Sequence, residues 1–361
     1  AYRWYANDTL GRLNESITGT FIVANTAPSI TFVTINATDH PINTTLANLT
    51  AFNSSITDLD NDRTKMIWDW RKDGVSDAVL NMPFENNSAW DASTNNNHGS
   101  LENGVVYNST SGYDGFGAFQ FDGVNDFINI DSVQTTLAST TQGTWTAWIK
   151  PVDATPLNSE TFIAFGDVDA NEFIYITILP TSKFNAFSRS AAGLKFTLQT
   201  DSAVFLDNTW THVTLVQDGV SPVIYIDGVA VAQTFSTEID KTHWFNDAPN
   251  LDNGRIGDVN RNNDGETLHF NGTIDGVKIY DRALSSDEIK RLYLQRNELQ
   301  NSYVSQKDVF IDSTGNVGIG TDSPNQNLHV VGNINVTGNL YVGGCITYNY
   351  TGTPVTLGTC V

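Results

Sequence analysis

Apolar and polar residues alternate along the chain from about residue 79 to residue 280, in short runs with a period of two. Such alternation is typical of β-strands that bury one face and expose the other. Asp-Gly pairs, which favour tight turns, separate several runs and begin at Asp122, Asp218, Asp227 and Asp264. The pattern predicts an antiparallel two-layer sandwich, with no helical periodicity of useful length before residue 280.

A single helix is predicted to follow the strands. Ser285 and Glu288 have the spacing of a capping box, and Leu284 and Ile289 occupy the two positions of a hydrophobic staple. The helix would run to about residue 299 and bury an apolar stripe that comprises Ile289, Leu292 and Tyr293.

Five phrases stand in order along the strand region: FDGVNDF at 121–127, GTWTAW at 143–148, WTHVTL at 210–215, VIYIDGV at 223–229 and FNGTIDGVKIY at 270–280. Their succession resembles the laminin-G/pentraxin-like branch of the concanavalin A-like jelly rolls. The resemblance implies a jelly-roll sandwich over residues 78–300. Domains of this kind usually bind glycans or proteins and seldom perform chemistry.

The residues before the jelly roll are predicted to form immunoglobulin-like modules. WDW at 68–70, followed by KDG, is similar to WYAND at 4–8, which indicates a repeat. The repeat resembles the cadherin-like or PKD-like modules of microbial surface proteins. It divides this region into the end strands of one module at 1–26 and a second module at 27–77.

The first of these modules would consist only of end strands, predicted at residues 2–5 and 16–23. Because such strands would lack partners in their own module, they could complete a module of a neighbouring subunit by strand donation. The chain would then be a homopolymer-forming subunit of an extracellular filament or surface layer.

Residues 301–361 change in character to short, glycine-punctuated strands. GNVGIG at 315–320 resembles segments of phage tail fibres and microbial surface fibres, which are often intertwined homotrimers. Near the end of the chain, Cys345 and Cys360 are predicted to form a disulfide, which would stabilise the fold by roughly 3 kcal/mol on the chain-entropy model. Two unrelated thiols are the alternative.

Charge and composition exclude several classes of function. The chain has 40 acidic and 19 basic residues, and its net charge of −21 repels nucleic acid and anionic membrane surfaces. No run of about eighteen apolar residues is present, so the sequence predicts no membrane span.

Asn-X-Ser/Thr sequons are dense in this chain, above all in its first 53 residues, and suit a secreted, glycosylated surface. We therefore expect an extracellular or cell-surface location. The candidate glycosylation sites are Asn7, Asn14, Asn36, Asn43, Asn48, Asn53, Asn86, Asn108, Asn271, Asn335 and Asn349.

Asp275 is the most informative candidate for metal binding. Alternation along its strand places it on the same face as Val277 and Ile279, and a carboxylate on an apolar face must be paired, hydrogen-bonded or bound to metal. The laminin-G resemblance implies one structural calcium ion, held by Asp91 and Asp275 with Asp122 as a third candidate. The alternative is that Asp91 and Asp122 serve turns and Asp275 accepts backbone hydrogen bonds.

Catalytic motifs are weak in this chain. Glu238 and Asp240 match the first half of the Glu-X-Asp-X-X-Glu strand of jelly-roll glycoside hydrolases, but His243 stands where the third acid belongs. We therefore predict that the protein is not an enzyme.

The tryptophans of the strand region fall into two groups. Trp145, Trp148 and Trp210 lie on predicted strands and are expected to fill the core. Trp90 and Trp244 lie beside polar loops and are candidates for stacking against a sugar ring, with Trp244 the preferred exposed aromatic. A loop aromatic folded over the sheet edge is the alternative.

These observations together predict a non-enzymatic extracellular surface protein for adhesion or surface assembly. Its jelly roll would bind a glycan or a neighbouring protein subunit. Two alternatives stay open: a structural subunit assembled by strand donation, and a viral tail-fibre protein that binds a receptor.

Overall fold

The computed structural model describes residues 5–7, 13–15, 27–31, 33–37, 49–53, 56–59, 63–294, 310–311, 317–319, 328–330, 346–350 and 353–357. The chain divides into two compact units, residues 1–299 and residues 300–361. No helix within the described residues is long and apolar enough to cross a membrane.

Before residue 77 the described strands form short antiparallel pairs. In chain order they are β1 (Tyr5–Asn7), β2 (Leu13–Glu15), β3 (Ser29–Ile30), β4 (Val33–Ala37), β5 (Leu49–Asn53), β6 (Ile56–Thr57), β7 (Arg71–Lys72) and β8 (Val75–Ser76). β1 pairs with β2, β3 with β6, β4 with β5, and β7 with β8. These pairs are compatible with the immunoglobulin-like modules, which stay a prediction.

The pairing of β1 with β2 bears on strand donation. Both strands belong to the same chain, so this pairing does not support the hypothesis of strand donation to a neighbouring subunit. The orphan strands predicted at 2–5 and 16–23 lie almost entirely outside the described residues. Polymerisation by strand donation therefore stays a prediction.

Residues 80–294 contain the other described strands of the first unit and the two α-helices that the structure describes there. In chain order they are β9 (Leu80–Met82), β10 (Ser100–Glu102), β11 (Val106–Asn108), β12 (Ala118–Asp122), β13 (Phe127–Asn129), α1 (Asp131–Leu137), β14 (Gly143–Pro151), β15 (Glu160–Gly166), β16 (Phe173–Ile178), β17 (Phe184–Ser190), β18 (Gly193–Thr200), β19 (Thr211–Gln217), β20 (Val223–Ile226), β21 (Val229–Ala230), β22 (Gln233–Glu238), a 3-10 turn (Phe245–Asp247), β23 (Asn253–Ile256), β24 (Val259–Asn260), β25 (Glu266–Thr267), β26 (Asn271–Tyr280) and α2 (Ser286–Leu294).

Two antiparallel sheets dominate this region. The first sheet has the order β10-β13-β23-β15-β16-β17-β18-β22, and the second has the order β11-β12-β26-β14-β19-β20-β21, with β9 also paired to β26. Many neighbouring strands are far apart along the chain, as in a jelly roll. The predicted all-β fold class is confirmed.

The core lies between the two sheets and comes from the inward positions of their strands. On β14, Trp145, Ala147 and Ile149 are completely buried. Trp145 contacts Phe165 of the facing sheet, with ring centroids 5.3 Å apart. Each large apolar side chain buried in this way contributes about 1.5–3 kcal/mol of favourable free energy.

Helix α2 begins as the sequence predicts. Ser285 N donates a hydrogen bond of 2.8 Å to Glu288 Oε2, and Glu288 N donates one of 3.3 Å to Ser285 Oγ, which completes the capping box. Leu284 and Ile289 are buried in one cluster, as a hydrophobic staple requires. The predicted extension of the helix to residue 299 lies outside the described residues.

The expectation of strands alone before residue 280 is wrong at α1. Val133 and Leu137 are the buried residues of this helix. Two apolar positions in seven residues give too short a pattern to reveal helical periodicity. Contact with the first sheet anchors the helix instead, because Gly254 N donates a hydrogen bond of 2.9 Å to Asp131 Oδ1.

The second unit contains short strands in its described part. They are β27 (Phe310–Ile311), β28 (Val317–Ile319), β29 (Leu328–Val330), β30 (Ile346–Tyr350) and β31 (Thr353–Leu357). β28 pairs antiparallel with β27 and parallel with β29, while β30 and β31 pair with each other. Cys345 and Cys360 lie outside the described residues, so the disulfide and the fibre-like character of this unit stay predictions.

Candidate functional site

A cleft opens on the outer face of the second sheet, between the segment that precedes the jelly roll and the start of α2. Its volume is about 660 Å³. Its lining combines two tryptophans with charged side chains: Trp68, Trp70, Lys72, Asp77, Lys278 and Arg282. We call it the tryptophan cleft.

Strand β26 supplies the floor of the tryptophan cleft. Val277 and Ile279 are completely buried in the core, so the alternating side chains of Lys278 and Tyr280 point outward and line the cleft. Lys278 lies opposite Thr146 in the pairing of β26 with β14. The floor is therefore a central part of the sandwich rather than a loop.

Backbone contacts hold the tryptophan wall of the cleft in place. Asn81 Nδ2 donates a hydrogen bond of 3.0 Å to Trp68 O, and Asp77 N donates one of 2.7 Å to Trp70 O. Trp70 nevertheless remains 39% exposed as a residue. A positioned and partly exposed indole is suited to stacking against a ligand.

Arg282 is the centre of an ion-pair network beside α2. Its Nη2 lies 2.6 Å from Asp77 Oδ2 and 2.8 Å from Glu288 Oε1. Burial alone would raise the pKa of Glu288, but hydrogen bonds from Arg282 and Ser285 lower it to about 2. The charge of Arg282 is therefore already matched by two carboxylates of the protein.

Lys278 carries a positive charge that is not matched in this way. Within the described part of the chain its ammonium forms no hydrogen bond and no ion pair. Burial and the nearby charge of Lys65 lower the pKa of Lys278 to about 8, whereas Asp69 acts in the opposite direction. An ammonium without a partner at the floor of a cleft favours a ligand with acceptor oxygens, above all an anionic group.

The tryptophan cleft was not predicted from the sequence. Trp68 and Trp70 fall in residues assigned to an immunoglobulin-like module, and Lys278 belongs to a strand assigned to the core. The available signal was the spacing of the two tryptophans, because residues two apart in an extended segment can share a face.

Asp91, a predicted calcium ligand, is buried in the polar loop and organises it. Its Oδ1 accepts hydrogen bonds of 2.9 Å from the backbone N of Asn81 and of Ser93. Its Oδ2 accepts from Ser93 Oγ at 2.6 Å and from Asn97 N at 2.8 Å. These contacts match the alternative role of Asp91 in a turn.

Asp122, the third candidate ligand, lies exposed at the end of β12. Its Oδ1 accepts a hydrogen bond of 2.8 Å from Val124 N, which is a turn contact. The backbone N of Asp122 donates to Asp126 Oδ2 at 3.0 Å. Both contacts stabilise the turn that follows the strand.

The face predicted for Asp275 is wrong, because β26 contains a bulge. Thr146 pairs with Lys278 and Trp148 pairs with Asp275, so three residues along β26 match two along β14. Asp275 therefore points away from the core, although it is completely buried. Its Oδ2 accepts a hydrogen bond of 3.3 Å from Tyr113 N.

The three predicted calcium ligands do not form one site. Asp91, Asp122 and Asp275 have separate sets of partners, and the described residues contain no group of three or more His, Cys, Asp or Glu side chains that could hold a metal ion. Calcium binding by this chain stays a prediction. A comparison of the melting temperature before and after chelation tests it.

The prediction of Trp244 as an exposed sugar-binding residue is wrong. Trp244 is completely buried, because the 3-10 turn that follows it folds its loop over the edge of the core. Its ring centroid lies 5.1 Å from that of Trp145. Trp90 is 42% exposed, but it does not line the tryptophan cleft.

The other predicted tryptophan positions have mixed outcomes. Trp145 fills the core as expected, whereas Trp148 is buried on the outer face of the second sheet, stacked at 4.3 Å on Tyr113. Trp210 precedes β19 and is only partly buried, with Lys150 Nζ 5.1 Å from its ring centroid. The core prediction therefore holds for Trp145 alone.

Among the described residues considered for catalysis and glycosylation, Glu238, Asn86, Asn108 and Asn271 do not line the tryptophan cleft. Glu238 is at the end of an edge strand, where its side chain is 63% exposed and Lys241 Nζ lies 3.3 Å away. Asn86 is exposed, and Asn108 and Asn271 are partly exposed. Glycosylation at these sequons stays a prediction.

Comparison with protein families defines the class of the sandwich. Residues 122–290 match the model of the Concanavalin A-like lectin/glucanases superfamily. The match confirms the concanavalin A-like domain that the laminin-G resemblance predicted in this part of the chain. A comparison with curated proteins finds no significant match.

Several solved structures are similar to parts of the chain. The CBM40 module of Ruminococcus gnavus IT-sialidase, bound to α2,3-sialyllactose, is 16% identical over 49% of this chain and 95% of that chain, with a TM-score of 0.42. Domain 4 of AbnA, an extracellular GH43 arabinanase of Geobacillus stearothermophilus in complex with arabinotriose, is 21% identical over 61% of this chain and 99% of that chain, with a TM-score of 0.45.

The NanB sialidase of Streptococcus pneumoniae is 17% identical over 48% of this chain, with a TM-score of 0.41. The match covers only 27% of the NanB chain. At these TM-scores no residue and no ligand is carried over from the three proteins to this chain.

Proposed function

We propose that this chain is a non-enzymatic extracellular surface protein whose concanavalin A-like domain binds a glycan in the tryptophan cleft. The observation that carries the proposal is the Lys278 ammonium, which lines the same cleft as two tryptophans and has no hydrogen-bond or ion-pair partner among the described residues. Lectins with this fold bind glycans, but the fold alone does not identify a ligand.

The chemistry of the cleft favours a glycan that carries a carboxylate or a sulfate. Indole faces stack on the C–H faces of sugar rings, and the partly exposed Trp70 offers such a face. The Lys278 ammonium can donate hydrogen bonds to an anionic substituent, and charge-assisted hydrogen bonds are stronger than neutral ones. The volume of about 660 Å³ accommodates a small oligosaccharide.

A glycan array tests the proposal on the complete chain. We expect binding to acidic oligosaccharides in preference to their neutral counterparts. Lys278→Met should weaken this binding roughly 10- to 100-fold, because a hydrogen bond to a charged group is worth about 1.5–3 kcal/mol. The matched control is Lys183→Met, which removes a lysine from the turn between β16 and β17 of the other sheet.

Two outcomes would contradict the proposal. The first is an array without any bound glycan. The second is binding that Lys278→Met and Lys183→Met change equally, because the contact would then lie elsewhere on the chain.

Adhesion is tested in the same way, by retention of protein-coated beads on a surface that displays the bound glycan.

A further inference from the structure

A buried cluster of ionisable groups lies next to the tryptophan cleft. The Nζ atom of Lys65 contacts Glu85 Oε1 and lies 2.7 Å from Asp114 Oδ2. The side chains are 11% exposed for Lys65, 16% for Glu85 and 0% for Asp114. A lysine from the segment before the jelly roll is therefore inserted between two carboxyl groups of the sandwich.

Asp275 adds a third carboxyl group to the cluster. It is completely buried, and its Oδ1 has no hydrogen-bond partner within the described part of the chain. A Cβ atom at Gly112 would lie 2.8 Å from Asp275 Oδ2, so the chain passes closely over this carboxylate. The acid is held in a tight enclosure rather than in open solvent.

Aromatic rings form much of the enclosure. Lys65 Nζ lies 5.5 Å from the centroid of the Tyr113 ring and 5.9 Å from that of Phe116. Tyr113 is in turn stacked on Trp148. In such an environment charges are poorly solvated, and a neutral pair is favoured relative to an ion pair more strongly than in water.

The two oxygens of Glu85 have different surroundings. Oε1 contacts the Lys65 ammonium, whereas Oε2 accepts a hydrogen bond of 3.1 Å from Gly117 N. A backbone N–H aimed at a carboxyl oxygen stabilises the negative charge that develops there when a nucleophile attacks the carbon. The arrangement therefore combines an amine, an acyl carbon and an oxyanion donor.

We propose that Lys65 and Glu85 become joined by an intramolecular isopeptide bond, with Asp114 as the group that carries the proton. The Lys65 ammonium gives a proton to Asp114, and the free amine attacks Cδ of the protonated Glu85 carboxyl. The bond from Nζ to Cδ forms and the bond from Cδ to the hydroxyl oxygen breaks. Asp114 assists the transfer of a proton from nitrogen to the departing oxygen, so one water molecule leaves and no oxidant is needed.

Burial favours the neutral form of the carboxyl that is attacked, whereas the neighbouring carboxylates keep Lys65 charged. Burial raises the pKa of Glu85, and it raises the pKa of Asp275 well above its usual range, although the charge of Lys65 opposes both shifts. Burial alone would lower the pKa of Lys65, but the carboxylates of Asp275 and Glu85 raise it. Because the raised pKa keeps Lys65 protonated, the reaction requires a proton transfer inside the cluster before the attack, and Asp114 Oδ2 lies 2.7 Å from Lys65 Nζ to accept that proton.

Glu85 is a better acyl donor than Asp114 in this geometry. Lys65 Nζ contacts Glu85 Oε1, and Gly117 N donates a hydrogen bond to the other oxygen of the same carboxyl. Asp114 Oδ1 also accepts a hydrogen bond of 2.9 Å from Phe116 N, which ties it to its own loop. The bond would fasten the segment that carries Trp68 and Trp70 to the jelly roll, independently of any glycan.

Mass spectrometry of the complete chain, produced without glycosylation and then denatured, tests the proposal. We expect a mass lower than that of the sequence by one water molecule. Protease digestion should yield a branched peptide in which Lys65 is joined to Glu85. This localisation is needed because cyclisation at an Asp-Gly pair also removes water.

Two variants separate the bond from the ion pair. Lys65→Arg keeps the positive charge but should give the full sequence mass, and Asp114→Asn should leave Lys65 and Glu85 unjoined. Lys65 and Glu85 recovered in linear peptides of the folded natural chain would overturn the proposal whether or not the variants fold. A branch from Lys65 to Asp114 would also overturn it, because it would exchange the assigned roles of the two acids.

Discussion

Asp275 lies directly opposite Trp148 where β26 pairs with β14, and the side chains of both residues lie outside the core between the sheets. A bulge at Gly276 produces this relationship. In a regular strand, Asp275 and Lys278 would lie on opposite faces, since they are three residues apart. The bulge therefore places the Asp275 carboxyl, which belongs to the buried cluster of ionisable groups, on the same surface as the Lys278 ammonium of the tryptophan cleft.

The bulge makes Gly276 sensitive to substitution. Its φ of +57° lies in the left-handed region, where a side chain costs about 1–2 kcal/mol, while an added Cβ would have ordinary contacts with Trp148 at 3.5 Å. Gly276→Ala should lower the free energy of unfolding by this amount in urea titrations. Gly276→Asn should cost less, because asparagine tolerates this conformation. Equal losses for the two variants would show that space, and not φ, limits the position.

The different burial of two tryptophans predicts different effects on stability. Trp244→Ala should reduce the free energy of unfolding by about 3–5 kcal/mol, because it leaves a cavity beside Trp145. Trp90→Ala truncates a residue that is 42% exposed and should cost less than about half of that free energy. The urea midpoints of the two variants check the contrast, and similar midpoints would contradict the core assignment of Trp244.

Glu160 predicts a fall in stability as pH rises. Burial raises its pKa from 4.5 to about 7, helped by the charge of Asp153 and opposed by a hydrogen bond from Asn271 N. Between pH 4.5 and about pH 7, the folded state keeps a proton on Glu160 that the unfolded state has released. The free energy of unfolding is therefore highest below the unfolded pKa of 4.5 and decreases as the pH rises to about 7. Because the side chain is partly exposed, we expect a change of about 1–2 kcal/mol.

Glu160→Gln provides the control for this titration. The amide cannot ionise, so the free energy of unfolding in urea should vary less between mildly acidic and neutral pH than in the natural chain. An unchanged pH dependence in the variant would assign the effect to another group.

Much of the fold could be predicted because its determinants are local. Alternation along strands such as β12 reports one buried face, since Phe119 and Phe121 are buried, and the spacing of Ser285 and Glu288 reports the cap of α2. Helix α1 could not be predicted in the same way, since contacts with β23 rather than its own pattern hold it in place.

The candidate site depends on relationships that a single sequence does not reveal. A glycine within an alternating strand does not by itself indicate a bulge, so the alternation predicts the wrong face for Asp275. Trp244 has the polar neighbours of an exposed loop, but tertiary contacts bury it. Lys65 meets Glu85 and Asp114 across separate segments, and only the folded chain brings these residues together.

In the proposed function, Lys278 binds an anionic group of a glycan. Because an anion favours the charged form of its neighbour, binding should raise the pKa of Lys278 above its present value of about 8 and draw a proton from the buffer. Calorimetric titration with an acidic oligosaccharide in two buffers of different ionisation enthalpy, near this pH, measures that proton. We predict proton uptake by the natural chain that is absent in Lys278→Met, and binding without proton uptake would contradict the claim.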